Sequence, residues 1–288
     1  MTSESRPRVC LLTGATLGIG RAAAEALAAT GLELVLVARD RARLEALAAE
    51  LRQRTPGAKV GVLSGDLSRM SEVRRIAGEF RATHDRLHLL LNNAGAIFAQ
   101  RELTPEGLER TLALNHLAYF VLTEELLPLL KASAPSRIVN VSSDAHIGTR
   151  VDVDDLNCAR GRYRPFVAYG RSKLMNILFT RELGRRLAGT RVTVNAMHPG
   201  FVRTGFGQNN AGFFARFIRL GQAFARTPER GARTLVYLAT SPEVEGVSGK
   251  YFHDEHESRI SSAAKDMEVA RRLWEASVRL AGPAAAAA

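Results

Sequence analysis

The sequence predicts an α/β protein built on a doubly wound parallel sheet with helices covering both faces. Three observations predict it. Short β-branched apolar runs recur along the chain, longer segments with apolar residues at three- and four-residue spacing separate them, and the first run ends in a glycine-rich turn that opens a helix. Parallel neighbours need crossover connections, usually helices, so this alternation argues for a covered sheet.

The strand-like runs are 9–12, 34–37, 59–63, 87–91, 137–141 and 192–196, and the helix-like segments between the first of them are 20–29, 41–54 and 71–83. Sheets of this kind bind ligands beyond the carboxyl ends of their strands, so residues just after each run are the candidates for a site. The 288 residues are read as one domain, 1–288, with 283–288 as a flexible alanine-rich tail.

Composition narrows the function classes. Hydrophobic residues make up 46% and charged residues 24%, ordinary for a globular chain and unlike a disordered or membrane-embedded one. Cys10 and Cys158 are far apart and match no metal-ligand spacing, and no clustered ligands for a metal are found. Residues 1–8 are short and polar, without the apolar stretch of a signal peptide or the roughly 20 apolar residues of a membrane span, so a cytoplasmic location is expected. The net charge of +11 comes from 35 Arg and 5 Lys spread over the whole chain. Without a block of like charges this reads as a solvated basic surface, and nucleic acid is not expected as a partner.

Thr13-Gly14-Ala15-Thr16-Leu17-Gly18-Ile19-Gly20 follows the first run and leads into an Ala-rich helix. Glycines there make the turn tight, let a pyrophosphate approach the backbone, and leave helix amides pointing at its charge. Alone, the turn is also an ordinary connection that needs positive φ angles; its place between strand and helix near the N-terminus favours a dinucleotide. The second run ends Val37-Ala38-Arg39-Asp40. An acid at position 38 would bind a free ribose 2′-hydroxyl; alanine stands there, and Arg39 offers a guanidinium fork to a 2′-phosphate. NADP(H) is therefore expected over NAD(H), with Asp40 read also as the cap of helix 41–54.

Tyr169-Gly170-Arg171-Ser172-Lys173 begins a helical segment in this reading, which puts Tyr169 and Lys173 on one face at i and i+4. An ammonium near a phenol favours the phenolate and draws its pKa down from about 10, giving a proton donor and acceptor usable near neutral pH. Val141-Ser142-Ser143 closes the fifth run, at the edge where a substrate would sit and a serine hydroxyl can donate to its oxygen.

The G-x-x-x-G-x-G spacing, Asp66-Leu67 after the third run, Asn92-Asn93-Ala94-Gly95 after the fourth, Leu114-Asn115-His116, the Tyr169/Lys173 pair and Pro199-Gly200 after the sixth arrive in one order. In this the chain resembles the short-chain dehydrogenase/reductase family over residues 9 to about 280. The resemblance implies a Rossmann fold and hydride transfer at a nicotinamide, with Ser143 orienting the carbonyl and Tyr169 moving the proton. Lys173 would also hold the nicotinamide ribose, and Asn115 would support a water-linked proton relay. It implies cofactor contacts at Thr13, Gly14, Gly18, Ile19, Gly20, Arg39, Asp66, Leu67, Asn92, Ala94, Gly95, Tyr169, Lys173, Pro199, Gly200 and Thr204.

The gap from Ser143 to Tyr169 is longer than is usual in the family. Its Asp154-Asp155-Leu156-Asn157, together with Ser172-Lys173-Leu174-Met175-Asn176, Asn195-Ala196-Met197-His198-Pro199-Gly200 and Gly246-Val247-Ser248-Gly249-Lys250-Tyr251-Phe252, resembles the retinol dehydrogenase-like branch. That branch implies a small apolar aldehyde, ketone or alcohol as substrate. The membrane anchor of many animal members is not matched, so membrane residence is not expected to carry over.

Six of the twelve phenylalanines, Phe201, Phe206, Phe213, Phe214, Phe217 and Phe224, fall in one stretch with Arg203, Arg216 and Arg219 and no acid. Residues 200–226 are accordingly read as a substrate lid over an apolar pocket. A weak peripheral contact of this basic, aromatic stretch with an anionic membrane is also compatible with the sequence, as is a homo-oligomer. The alternative function from another class is a catalytically silent NADP(H)-sensing regulatory protein, against which the intact Ser143, Tyr169 and Lys173 argue.

Overall fold

The computed structural model describes residues 7–202 and 225–282. Its strands are β1 Val9–Thr13, β2 Glu33–Ala38, β3 Val60–Ser64, β4 Leu89–Asn92, β5 Ser136–Val141, β6 Val192–His198, β7 Tyr251–His253 and β8 His256–Glu257. They form one sheet in the order β3-β2-β1-β4-β5-β6-β7-β8, parallel throughout except for the antiparallel β7–β8 pair. The first six strands lie where the apolar runs predict them. For β1, β2, β4, β5 and β6 burial on both faces is the reason, because a central parallel strand needs apolar side chains at almost every position; β3, at the sheet edge, is buried only at Val60.

The principal helices are α1 Gly18–Ala28, α2 Arg41–Arg54, α3 Met70–Thr83, α4 Ala118–Ala132, α5 Pro165–Arg186, α6 Pro228–Thr240 and α7 Met267–Ala281. Strand side chains alternate between two cores. Cys10, Leu12, Leu34, Leu36, Leu89 and Leu91 meet α1, α2 and α6 through Leu27, Leu44 and Leu235. Leu11, Val35, Leu90, Ile138 and Val194 meet α3, α4 and α5 through Phe80, Leu126 and Leu178. Helix α7 then covers α4 and α5: Trp274 sits edge-on to Phe120 with centroids 5.0 Å apart, and the Arg186 guanidinium lies 4.1 Å above its ring.

Local chemistry sets the helix starts. The Asp40 carboxylate accepts from Arg43 N (3.0 Å) to cap α2, as expected, and Asp266 caps α7 by accepting from Glu268 N and Val269 N. Helix α5 begins at Pro165, one turn before the expected start at Tyr169; proline suits the first helical position because it has no amide to leave unbonded. The reversal of strand order falls between β1 and β4, and it opens a crevice at the carboxyl edge of the sheet.

Candidate active site

A cavity of about 770 Å³ occupies that crevice, within the size range of small-molecule sites. The turn after β1 lines it with Gly14, Thr16, Leu17, Ile19 and Gly20, and the junction of β2 with α2 adds Ala38, Arg39, Asp40 and Arg43. Gly65 and Leu67 follow from β3, Asn93 to Ala96 from β4, and Val141 to Ala145 from β5. Helix α5 adds Phe166, Tyr169 and Lys173, and the end of β6 adds His198 to Val202.

Gly14 and Gly20 leave no room for a side chain. Gly14 has φ +69°, and a Cβ there would stand 2.8 Å from Ala94 Cα; one on Gly20 would stand 2.1 Å from Gly14 O. Leu17, at the N-cap of α1, gives the helix no side-chain cap, so the first-turn amides keep their hydrogen-bonding capacity for a ligand. Thr13 is buried and holds the two sides of the crevice together: its Oγ1 accepts from Asn93 N (2.9 Å) and Ala94 N (3.0 Å), while Asn93 Nδ2 donates to Thr13 O (2.9 Å). A cradle of bare backbone with uncapped helix amides fits an extended phosphate-bearing ligand. At its far end Arg43 pairs with Asp40 (3.2 Å), whereas Arg39 is exposed and has no carboxylate partner among the described residues.

Four of the expected contacts, Thr13, Gly18, Asp66 and Asn92, do not line the cavity. Asn92 does not reach the cavity. As the last residue of β4 it points into the core, where its Nδ2 donates to Asn140 Oδ1 (2.9 Å) and Thr123 Oγ1 (3.2 Å); Asn93 takes the cavity position. Asp66 is not a lining residue either, because its carboxylate closes a turn on Ser68 N (3.0 Å) and Ser68 Oγ (2.8 Å). Gly18 shapes the turn at φ +53° without lining the cavity. Thr204 and most of the expected lid, 203–224, lie outside the described residues. At the two ends of that stretch, Val202 and Arg226 form a short parallel bridge.

The structure brings Ser143, Tyr169 and Lys173 to one wall. The Ser142 hydroxyl donates to Lys173 O (2.7 Å), and the Ser143 hydroxyl is hydrogen-bonded with Tyr169. Lys173 is buried, with Nζ donating to Val141 O (3.0 Å) and lying 5.6 Å from the Tyr169 ring centroid. Gly170 lets α5 approach the turn after β5, since a Cβ there would stand 2.4 Å from Ala145 O.

The expectation that the ammonium draws the phenol down is corrected here. Burial pushes Tyr169 up to about 12, against the opposing hydrogen bond from Ser143, and burial pushes Lys173 down to about 7. Both shifts have one cause: a water-poor environment favours the neutral form of each group.

Asn115 does not line the cavity. It sits in a π-helical turn, Ala113–Leu117, that leads into α4, and such turns recur at functional sites. Its side chain clamps the loop after β4, accepting from Ala96 N (2.9 Å) and donating to Ala96 O (2.9 Å) and Ser172 Oγ (3.0 Å). Its backbone carbonyl accepts from Asn176 Nδ2 (2.9 Å).

Sequence reasoning did not single out a polar cluster beside Ser143. Asp144 Oδ1 accepts from Tyr251 OH (2.9 Å), and Asp144 Oδ2 lies 3.3 Å from His198 Nε2. His146 Nδ1 donates to Ser143 O (2.8 Å), and its Nε2 accepts from Ser261 N (3.3 Å). The turn carrying Ser143 is thus fastened to β6, to β7 and to the segment before α7. Burial pushes His198 down to about 4, so it is neutral near pH 7.

Such a sheet, with a phosphate-sized backbone cradle at its reversal point and a Ser–Tyr–Lys group on the facing wall, defines a dinucleotide-type α/β enzyme. The short chain dehydrogenase family model matches residues 8–212. Mouse retinol dehydrogenase 14 is 44% identical over 96% of this chain and 86% of its own, and human retinol dehydrogenase 13 is 41% identical over 96% and 85%. Among solved structures, an uncharacterised protein from Mycobacterium paratuberculosis superposes with TM-score 0.77 at 33% identity, covering 95% of this chain and 93% of the other. A Beutenbergia cavernae protein assigned as an NAD(P)-dependent gluconate 5-dehydrogenase, with NADP bound at low occupancy, superposes with TM-score 0.67 at 28% identity over 87% and 96%. The chain belongs to the short-chain dehydrogenase family, as an oxidoreductase similar to the retinol dehydrogenases.

Proposed function

We propose that this chain is an NADP(H)-dependent oxidoreductase acting on an apolar carbonyl or alcohol, with Ser143, Tyr169 and Lys173 as its catalytic residues. The observation that carries the reading is the meeting of these three side chains with the Gly14–Gly20 cradle in one cavity. A bound nicotinamide supplies or takes up the hydride. The protein's own part is proton handling: Ser143 presents a hydroxyl to the substrate oxygen, and Tyr169, protonated near neutral pH, gives its proton to that oxygen on reduction. In the reverse direction Tyr169 takes the proton, and a charged Lys173 beside the ring lowers the cost of the phenolate. Asn115 keeps the Ala96 loop and Ser172 in place around Lys173.

The cofactor preference rests on Arg39 just past β2 and Arg43 in the first turn of α2, with Ala38 where an acid would favour a free 2′-hydroxyl. An apolar substrate is supported by Leu17, Phe166 and Phe201, large apolar side chains that are exposed and yet line the cavity, and by the names of the retinol dehydrogenase relatives. The test is consumption of NADPH and NADH with a panel of apolar aldehydes that includes retinal, in wild type and Arg39→Ala. The reading expects turnover with NADPH and a ~10- to 100-fold loss of NADPH preference in the variant, the scale of one charge-assisted pair. No turnover with any aldehyde removes the substrate class, and an unchanged preference removes the cofactor argument.

A further inference from the structure

Lys173 carries a charge problem. It is buried, and none of the described residues offers its ammonium a carboxylate. The groups around it are the Val141 carbonyl at the end of β5, which accepts one of its three N–H bonds at 3.0 Å, and Tyr169 on its own helix. The backbone of Gly95 is also close: a Cβ there would stand 3.4 Å from Nζ and 3.3 Å from Asn115 Oδ1. Asp144, one residue beyond Ser143, is engaged with Tyr251 and lies beside His198. The remaining neighbour is Tyr119 on α4, whose ring centroid lies 5.7 Å from Nζ, against 5.6 Å for Tyr169. Tyr119 is 1% exposed, and its hydroxyl has no hydrogen-bond partner among the described residues. Burial, and then the neighbouring Tyr169, pushes its phenol well above the usual range, so the ring stays neutral.

We propose that Tyr119 is a positioning residue that, with Tyr169, holds the Lys173 ammonium between two aromatic faces and keeps it charged where no described residue supplies a counter-ion. The inference rests on the reading of Lys173 as the cation of the site. Ring faces carry negative potential, and a desolvated cation within about 6 Å of a centroid is stabilised by it. The hydroxyl of Tyr119 plays no part in this, since it meets no partner among the described residues and it is the ring that faces the cation. Loss of the ring lowers the Lys173 pKa, and with it the pH up to which the ammonium persists.

The test is carried out on the full chain without ligand, so it does not depend on any substrate being turned over. Lysine labelled with 13C at Cε gives five signals, one for each lysine, and Lys173→Met assigns the relevant one. Titration from pH 5.5 to 9 is expected to show Lys173 changing charge near pH 7, apart from the four other lysines. Tyr119→Phe keeps the ring and is expected to leave the midpoint within about 0.2 units. Tyr119→Leu is expected to lower it by about 0.5 to 1 unit, the size of one desolvated cation–π contact. If the leucine variant does not fold, replacement of Tyr119 by phenylalanine carrying one, two or three fluorines keeps the shape and weakens the ring's potential stepwise, and the midpoint should fall in the same order. A midpoint that is unchanged or raised in Tyr119→Leu, or that fails to descend along the fluorinated series, overturns the proposal.

Discussion

Gly20→Ala separates a helix-propensity argument from a close-packing one, because the two predict opposite signs. In an ordinary helix the change stabilises by up to ~1 kcal/mol. Here the added Cβ would stand 2.1 Å from Gly14 O and 2.6 Å from Asn93 Nδ2. Restoring a carbon–oxygen separation of about 3.3 Å needs one backbone to yield by roughly 1.2 Å. The atom in the way is a carbonyl in a turn at φ +69°, not the tip of a flexible side chain. Overpacking of this kind costs ~1–3 kcal/mol, and a backbone obstacle puts this case at the upper end. For a chain of this size that is a fall in Tm of ~4–6 °C. The same displacement moves the cradle amides, and loss of one hydrogen bond to a charged ligand weakens NADPH binding ~10- to 100-fold. Thermal unfolding and an NADPH fluorescence titration read both effects. A variant as stable as wild type that binds NADPH equally well would refute the cradle argument.

Two further predictions concern protons and position. His116 is buried against Ser277 Oγ (2.9 Å), and burial pushes its pKa from 6.5 to about 4. Its folded pKa lies below its unfolded one, so its contribution to stability is complete above pH 6.5, falls with the pH, and is gone below about 4. The whole step is about 3 kcal/mol. Denaturant unfolding at pH 7 and pH 5 should therefore show a loss in wild type that is about 2 kcal/mol smaller in His116→Gln, and equal losses would contradict this account. Tyr251→Phe removes the hydroxyl that holds Asp144 and loosens the turn carrying Ser143. We expect kcat to fall ~10-fold with NADPH affinity unchanged, and a matching loss in cofactor affinity would mean that the bond supports the cofactor side instead.

How much of this was legible in the sequence depends on how local each feature is. Strands β1, β2, β4, β5 and β6 announce themselves because almost every position in them is buried, and the Gly14–Gly20 turn and the Tyr169/Lys173 pair are patterns within eight residues or fewer. Strand β7 is three residues long, and neither it nor the β7–β8 hairpin carries a period of its own. Asn92 was expected at the cavity and Asn93 is found there, because at a strand end a shift of one residue turns the side chain to the opposite face. The Asp144, His198 and Tyr251 cluster was invisible for a different reason. Tyr251 is 107 residues from Asp144, and the pairing of β6 with both β5 and β7 at the edge of the site brings the three together. The i, i+4 spacing of Tyr169 and Lys173 shows that the two are neighbours but not the burial that raises the phenol's pKa.

The most direct test of the central claim is hydride transfer in wild type beside Tyr169→Phe, with NADPH and an apolar aldehyde under single-turnover conditions. The account predicts reduction by the wild type and a fall of at least ~100-fold in the variant, the usual scale for loss of a general acid, with NADPH binding retained. Turnover that survives the loss of the phenol, or a wild-type chain that binds no NADPH, would contradict it.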